Sequence, residues 1–164
     1  IIHCQYNWVN GIIDLSASVL LENLNMGNCN ITSIVLPTSN TVQSINMSSN
    51  LLSAIDVSIC VGLIQLEVDG NELVCLDISS NPFLNFLNCK LQTLSGTVTK
   101  TLLTLNLANG NNSNIIDANM RTSGNALVTS NCVTVDNVAY STANWTTHTD
   151  FGTVWNLGCS PLGC

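Results

Sequence analysis

The sequence predicts a mainly β solenoid of short parallel strands with a C-terminal cap. Three observations carry that expectation. Apolar residues recur every 21 positions: Leu24, Ile45, Leu66 and Leu87 form one column, and Met26, Met47, Val68 and Cys89 form another two residues on. Within each unit, apolar and polar residues alternate, as in Leu66-Glu67-Val68 and Leu76-Asp77-Ile78. That is the period-2 pattern of a strand with one buried face. The composition is 46 % hydrophobic but only 8 % charged, against about 25 % charge in an ordinary soluble domain. Amides and hydroxyls must therefore solvate the surface, and the chain carries 24 asparagines.

The elements follow in order from the columns. Ile2, Cys4 and Val9 match Leu87, Cys89 and Leu94, so the array is entered mid-repeat. Ile31, Leu52, Leu73 and Leu94 keep the same step. A second strand set contains Ile13, Ile34, Ile55 and Leu76, followed by Leu15, Leu36, Val57 and Ile78. Leu21, Val42, Leu63 and Leu84 close the unit. Asn50 and Asn71 share one corner column and Asn81 stands in another, where an inward amide can bond the unpaired backbone of a turn. One coil cannot bury its own apolar rim. Stacked coils bury each other's, at ~4.8 Å per rung, so about five rungs make a rod of about 25 Å. Leu105 and Leu107 read as the next copies of Leu87 and Cys89 after a shortened coil of 18 residues. Beyond Asn114 the columns fade. Residues 1–115 are thus expected to form the array and 116–164 the capping region, which holds Trp145, Trp155, three cysteines and Arg121.

Length and charge exclude several classes. With 164 residues and 17.5 kDa the chain is one domain on size alone. Its apolar content excludes intrinsic disorder. No stretch approaches the ~18 apolar residues of a membrane-spanning helix. Three basic residues against ten acids leave no footprint for nucleic acid. The chain opens on Ile1-Ile2 rather than Met, which implies a removed leader or a piece of a longer chain. Eight cysteines without any CxxC fit an oxidising compartment better than a redox or zinc motif. The expected location is secreted, extracellular or cell-surface.

Leu21-x-x-Leu24-x-Met26-x-x-Cys29-x-Ile31 and Leu63-x-x-Leu66-x-Val68-x-x-Asn71-x-Leu73 resemble the leucine-rich repeat motif LxxLxLxxN/CxL. The unit with Leu76-Asp77-Ile78-Ser79-Ser80-Asn81-Pro82 resembles the short repeats of secreted Bacteroidetes leucine-rich repeat proteins. Val135-Asp136-Asn137-Val138-Ala139-Tyr140-Ser141-Thr142-Ala143-Asn144-Trp145-Thr146 is similar to the cap that follows such arrays in marine flavobacterial proteins. The resemblance ends after Thr146. It implies a leucine-rich repeat solenoid whose cap pairs Cys132 with Cys159 or Cys164. It also implies that the polar positions of the first strand set form a binding surface. These include Asn25, Asn46, Glu67, Asp69, Asn88, Lys90 and Asn106. That ladder is amide-rich and nearly free of the aromatics that dominate protein hot spots. A glycan or a weak multivalent contact suits it better than a tight protein partner.

No catalytic constellation stands out. His3 and His148 are the two candidate bases, expected at opposite ends of the rod, and no nucleophile elbow, HExxH, P-loop or GxGxxG occurs. Neither an enzyme nor a cofactor is expected. Asp56 and Asp77 belong on adjacent rungs, roughly 5 Å apart. They read either as calcium ligands or as part of a solvated strand face. Glu67 and Asp69 beside Lys90 read as a surface ion pair of little worth. Cys4 and Cys89 read as unpaired inward thiols, and Cys29 and Cys60 as structural corner residues. Cys159 and Cys164 with His148 read as a cap disulfide or a metal site. Sequons occur at Asn30, Asn46, Asn111 and Asn144. The functional expectation is a non-catalytic extracellular module for binding or adhesion, its partner a cell-surface protein or glycan. The alternative is a structural subunit whose copies stack head to tail into an extracellular filament.

Overall fold

The computed structural model describes residues 1–90, 92, 102, 104–115, 117–119, 132–145 and 154–158. Its strands are β1 (Ile2–His3), β2 (Gly11–Asp14), β3 (Asn23–Asn25), β4 (Ile31–Val35), β5 (Ser44–Asn46) and β6 (Gln65–Glu67). They continue with β7 (Cys75–Asp77), β8 (Phe86–Asn88), β9 (Thr104–Asn106), β10 (Asp117–Asn119), β11 (Cys132–Thr134) and β12 (Val154–Asn156). One helix, α1 (Val138–Asn144), follows β11. The chain is a parallel β-solenoid of about six turns. One wall is a six-stranded sheet in the order β1-β3-β5-β6-β8-β10. The other wall holds a two-stranded ladder, β2-β4, and a four-stranded sheet, β12-β11-β9-β7.

The 21-residue columns set the register of the first wall. Leu24 pairs with Ile45, Ile45 with Leu66, and Leu66 with Leu87. All four are no more than 1 % exposed. Burying each such side chain is worth about 1.5–3 kcal/mol, and the gain is realised only because the neighbouring rung covers it. Each interior strand therefore leans on its two neighbours for stability, as in other stacked repeats.

Buried amides close the corners. Asn50 accepts from the N–H groups of Cys29 (3.1 Å) and Ile31 (2.9 Å) and donates to the carbonyls of Met26 and Met47, both at 2.9 Å. One rung on, Asn71 accepts from Leu52 N–H and donates to Met47 and Val68. Gln92 repeats the pattern with Leu73, Val68 and Cys89. Cys29 fills the same column in the coil before. Its thiol donates to the carbonyls of Cys4 (2.8 Å) and Gly27 (3.3 Å). On the other wall Asn81 donates to Val57 and Cys60.

A second corner device repeats along the stack. Tyr6, Asn28, Ser49 and Gly70 have φ of 57°, 57°, 55° and 65°. Backbone bonds tie them in sequence: Tyr6 N–H to Gly27 O, Asn28 N–H to Ser48 O, Ser49 N–H to Asp69 O, and Gly70 N–H to Lys90 O. The first four coils therefore leave the first wall through a left-handed residue. Glycine takes that conformation without penalty; other residues lose roughly 1–2 kcal/mol.

Two expectations need correction. Leu105, Asn106 and Leu107 do not continue the first wall. Leu105 pairs with Leu76 and Asn106 with Asp77, on the opposite wall. The reason is coil length: β7 to β9 runs from Cys75 to Thr104, 29 residues, and β8 to β10 runs from Phe86 to Asp117, 31 residues. The longer path brings Leu105 round to the other side. The row expected to contain Ile13, Ile34, Ile55 and Leu76 is also broken. Ile13 pairs with Ile34, but residues 53–56 form no strand and reach the next coil through one long bond, Val74 N–H to Ser53 O at 3.4 Å.

Stacking runs past position 115. The region read as the cap supplies β10 to the first wall and β11 and β12 to the second. Asn137 caps α1 by accepting from Tyr140 N–H at 2.9 Å, the usual role of an amide at this position. Trp145 is buried, with ring centroids 5.9 Å from Tyr140 and 5.7 Å from Trp155. Trp145 thus joins the main core, with Tyr140 and Trp155 packed against it.

Asn71→Ala strips its corner of four bonded backbone groups, three of them in a buried setting. It should lower unfolding free energy by about 3 kcal/mol, read from urea denaturation. Ser49→Gly relieves the left-handed strain and should raise stability by about 0.5–1 kcal/mol in the same assay.

Candidate functional site

The first wall brings most of the predicted surface residues into rows. Asn25, Asn46, Glu67 and Asn88 are successive partners in the ladder, and His3 precedes them beside Asn25. All but the exposed His3 are half-buried. Asp69 and Lys90 lie two residues beyond Glu67 and Asn88, also half-buried. Asp69 is the hub of this face: Ser48 Oγ donates to its Oδ1 at 2.6 Å and Asn88 Nδ2 at 2.9 Å. Gln65 Nε2 donates to Glu67 Oε1 at 2.8 Å. The rows are thereby cross-linked between rungs and present a fixed polar surface. Asn106 is not part of it and lies on the second wall.

Many of these side chains have a local task that sequence reading missed. Asn46 Oδ1 accepts from Ser48 N–H at 3.0 Å and Asn106 Oδ1 from Ala108 N–H at 3.1 Å. The same geometry recurs at Asp14 with Ser16, Asp56 with Ser58, and Asp77 with Ser79, at 2.9, 3.0 and 2.8 Å. Each is an Asx turn; those at Asp14, Asn46, Asp77 and Asn106 end strands, while Asp56 follows none. Bonds from the side chain and backbone of Ser16 hold the Asp14 carboxyl below the usual carboxylate range. A D-x-S spacing at Asp14, Asp56 and Asp77 was the available signal.

The calcium candidates Asp56 and Asp77 do come together. Both line a groove of about 460 Å³ with Ser58 and Ser79, where the second wall is interrupted. Their Oδ1 atoms are engaged in the turns just described. Among the described residues no group of three or more His, Cys, Asp or Glu is placed to hold a metal, and no helix is long and apolar enough to cross a membrane.

Cys4, Cys29, Cys60 and Cys89 are free thiols; Cys75 is engaged. Cys132 stands on β11 in register with Thr104 and Val154. Cys159, Cys164 and His148 lie outside the described residues, so the cap disulfide does too. Of the sequon asparagines, Asn30 and Asn144 are exposed, while Asn46 and Asn111 are half-buried.

The aromatic poverty of the strand face does not extend to its first corner. Tyr6 and Trp8 are 80 % and 86 % exposed. They line a pocket of about 190 Å³ with Asn7, Asn28 and Asn30. Sequence columns could not reveal it, because Tyr6 and Trp8 fall in the irregular turn before the second strand set.

Two buried thiols give the fold an alkaline limit. Burial, and then Asp69, push Cys89 up to about 12; burial, and then Asp56, push Cys60 up to about 11. The folded chain keeps protons that the unfolded chain releases near pH 9. This contribution to stability is therefore intact below that pH and is lost as pH rises toward 11 and 12. Cys89→Val, which copies Val68 of the same column, should make the fall between about pH 9 and 12 shallower than in the parent, measured by urea midpoints across that range.

Compared with known proteins, the chain matches no family model, no curated protein and no solved structure. The chain is a parallel β-solenoid whose first wall carries a polar row from Asn25 to Asn88.

Proposed function

We propose that the chain is a non-catalytic extracellular binding module of the leucine-rich repeat type, displaying its six-stranded wall to a cell-surface glycan. The observation that supports this reading most is the cross-linked polar face. Asn25, Asn46, Glu67 and Asn88 stand in one row, and Asp69 holds Ser48 and Asn88 across three rungs. A row of half-buried amides and hydroxyls on a rigid sheet offers donors and acceptors at fixed intervals of ~4.8 Å. It lacks the apolar anchors on which tight protein interfaces depend. A net charge of −7 with three basic residues disfavours acidic polymers and nucleic acid. The composition and the cysteine usage support an oxidising, extracellular setting.

A second reading is end-to-end assembly with another copy. The first coil leaves Ile1 and Leu20 at 73 % and 83 % exposure, lining a shallow cavity with Ile2, Val19 and Leu21. Stacking of a second copy on this rim would continue the core. A concentration series in light scattering separates the two readings, since a binding module stays monomeric and a filament subunit grows.

The binding reading is tested on a printed array of neutral and acidic glycans with the labelled chain. Binding is expected among the neutral members. Glu67→Arg places a bulky cation in the middle of the row and should weaken binding by about tenfold or more, equivalent to ~1.4 kcal/mol, with the melting temperature nearly unchanged. An array without signal, or equal binding by the variant, overturns the reading.

A further inference from the structure

We propose that the corner formed by Tyr6, Asn7, Trp8, Asn28 and Asn30 is a subsite for a ring of an uncharged saccharide. The proposal deepens the glycan-binding reading and adds a second contact point at the edge of the same wall.

Three observations on the aromatics lead there. Tyr6 and Trp8 keep 80 % and 86 % of their surface in water, although such rings normally bury 150–250 Å² each. Tyr6 also occupies the left-handed corner, with φ of 57°. The equivalent corners of the next coils use Asn28, Ser49 and Gly70, of which asparagine and glycine suit it better. A bulky aromatic strained in place without packing in return is the pattern of a functional position.

The polar groups of the pocket are available. Asn7 Nδ2 donates to the carbonyls of Cys4 and Gln5, which leaves its Oδ1 for a ligand. The Asn28 and Asn30 side chains make no hydrogen bond among the described residues, and both are exposed. Each such amide carries two donors and an acceptor. Neighbouring amides of the stack, Asn50 and Asn71, are fully consumed inside the fold.

Ring faces beside free amides match one ligand chemistry well. A pyranose has a C–H face that lies on an aromatic ring and hydroxyls at its edge that pair with amides. The pocket has no basic side chain in its lining, so phosphate, sulfate and uronate groups find no counter-charge. Its volume of about 190 Å³ is below the range of about 300–1,000 Å³ for larger ligands, which suits one ring of a longer sugar. The corner lies directly beyond β1, linked to the wall by Tyr6 N–H to Gly27 O. A polysaccharide strand seated here can run on along the row of Asn25, Asn46 and Glu67.

The test is a tryptophan-fluorescence titration of the unglycosylated chain with cellohexaose, chitohexaose, mannohexaose and xylohexaose. Trp8 is the exposed tryptophan of the described residues, with Trp145 buried and Trp155 half-buried, so its emission reports occupancy. At least one sugar should give a saturable shift. Trp8→Ala should weaken that binding, followed by calorimetry, by about tenfold without lowering the melting temperature. Trp8→Phe should retain most of it, and Asn30→Ala should weaken it severalfold. The subsite is overturned if none of the four sugars shifts the emission. It is also overturned if Trp8→Ala and Tyr6→Ala bind as the parent does, or if Trp8→Ala alters only self-association. Binding that survives Trp8→Ala but is lost in Glu67→Arg leaves the wall reading standing and removes the corner. The reverse outcome keeps the corner and removes the wall.

Discussion

The inward amide at each corner is the constraint on which the rest of the structure depends. A solenoid turns its backbone sharply every few residues, and each turn buries N–H and C=O groups that no ladder can satisfy. Asn50, Asn71 and Gln92 serve these groups from inside, each reaching the carbonyls of its own coil and the one before. The leucine columns supply most of the free energy, but leucine packing is non-directional and would tolerate many arrangements. The amides fix how far one coil is rotated relative to the next. Cys29 shows the limit of substitution in this column. A thiol donates as the amide does, to Cys4 and Gly27, but offers only a weak acceptor in return.

Stability and surface chemistry are entangled on the first wall. Asn46 presents its amide to solvent and also ends its strand through Ser48 N–H. Asp69 faces outward and ties Ser48 to Asn88. Residues that look like a ligand-binding row are therefore also the fittings that hold the rungs in register. A ligand of the kind proposed would meet groups already fixed in place, which reduces the ordering cost of binding. The same coupling narrows the choice of residues along the row, so variation in specificity falls more easily on the corners.

Much of this was legible in the sequence, and the failures have physical causes. The columns through Leu24, Ile45, Leu66 and Leu87 survive because every coil between them has the same length. Asn50, Asn71 and Asn81 were readable as corner amides because few residues other than Asn tolerate that task. Leu105 was misplaced because Leu-x-Leu occurs on both walls and carries no label for either; coil length alone decides, and coil length changed. The left-handed column was invisible because Tyr6, Asn28, Ser49 and Gly70 share a conformation but no side-chain chemistry. The break at Ile55 was equally hidden, since Ile55 is the right residue in the right column. What fails there is pairing between backbones.

These two hidden features mark where the fold has slack. The wall opens at residues 53–56, and Asp56 and Asp77 line the gap with their carboxylates committed to turns. The first corner differs, because its aromatics and two of its amides have no structural commitment. A repeat fold conserves shape from coil to coil, so a departure from the column is informative in proportion to its cost. Serine at Ser49 bears the Cβ penalty that glycine at Gly70 escapes. Tyrosine at Tyr6 bears the same penalty and adds a large ring that is left 80 % exposed. Strain maintained without burial has no account among the described contacts, and a saccharide ring seated on this corner is the account we propose.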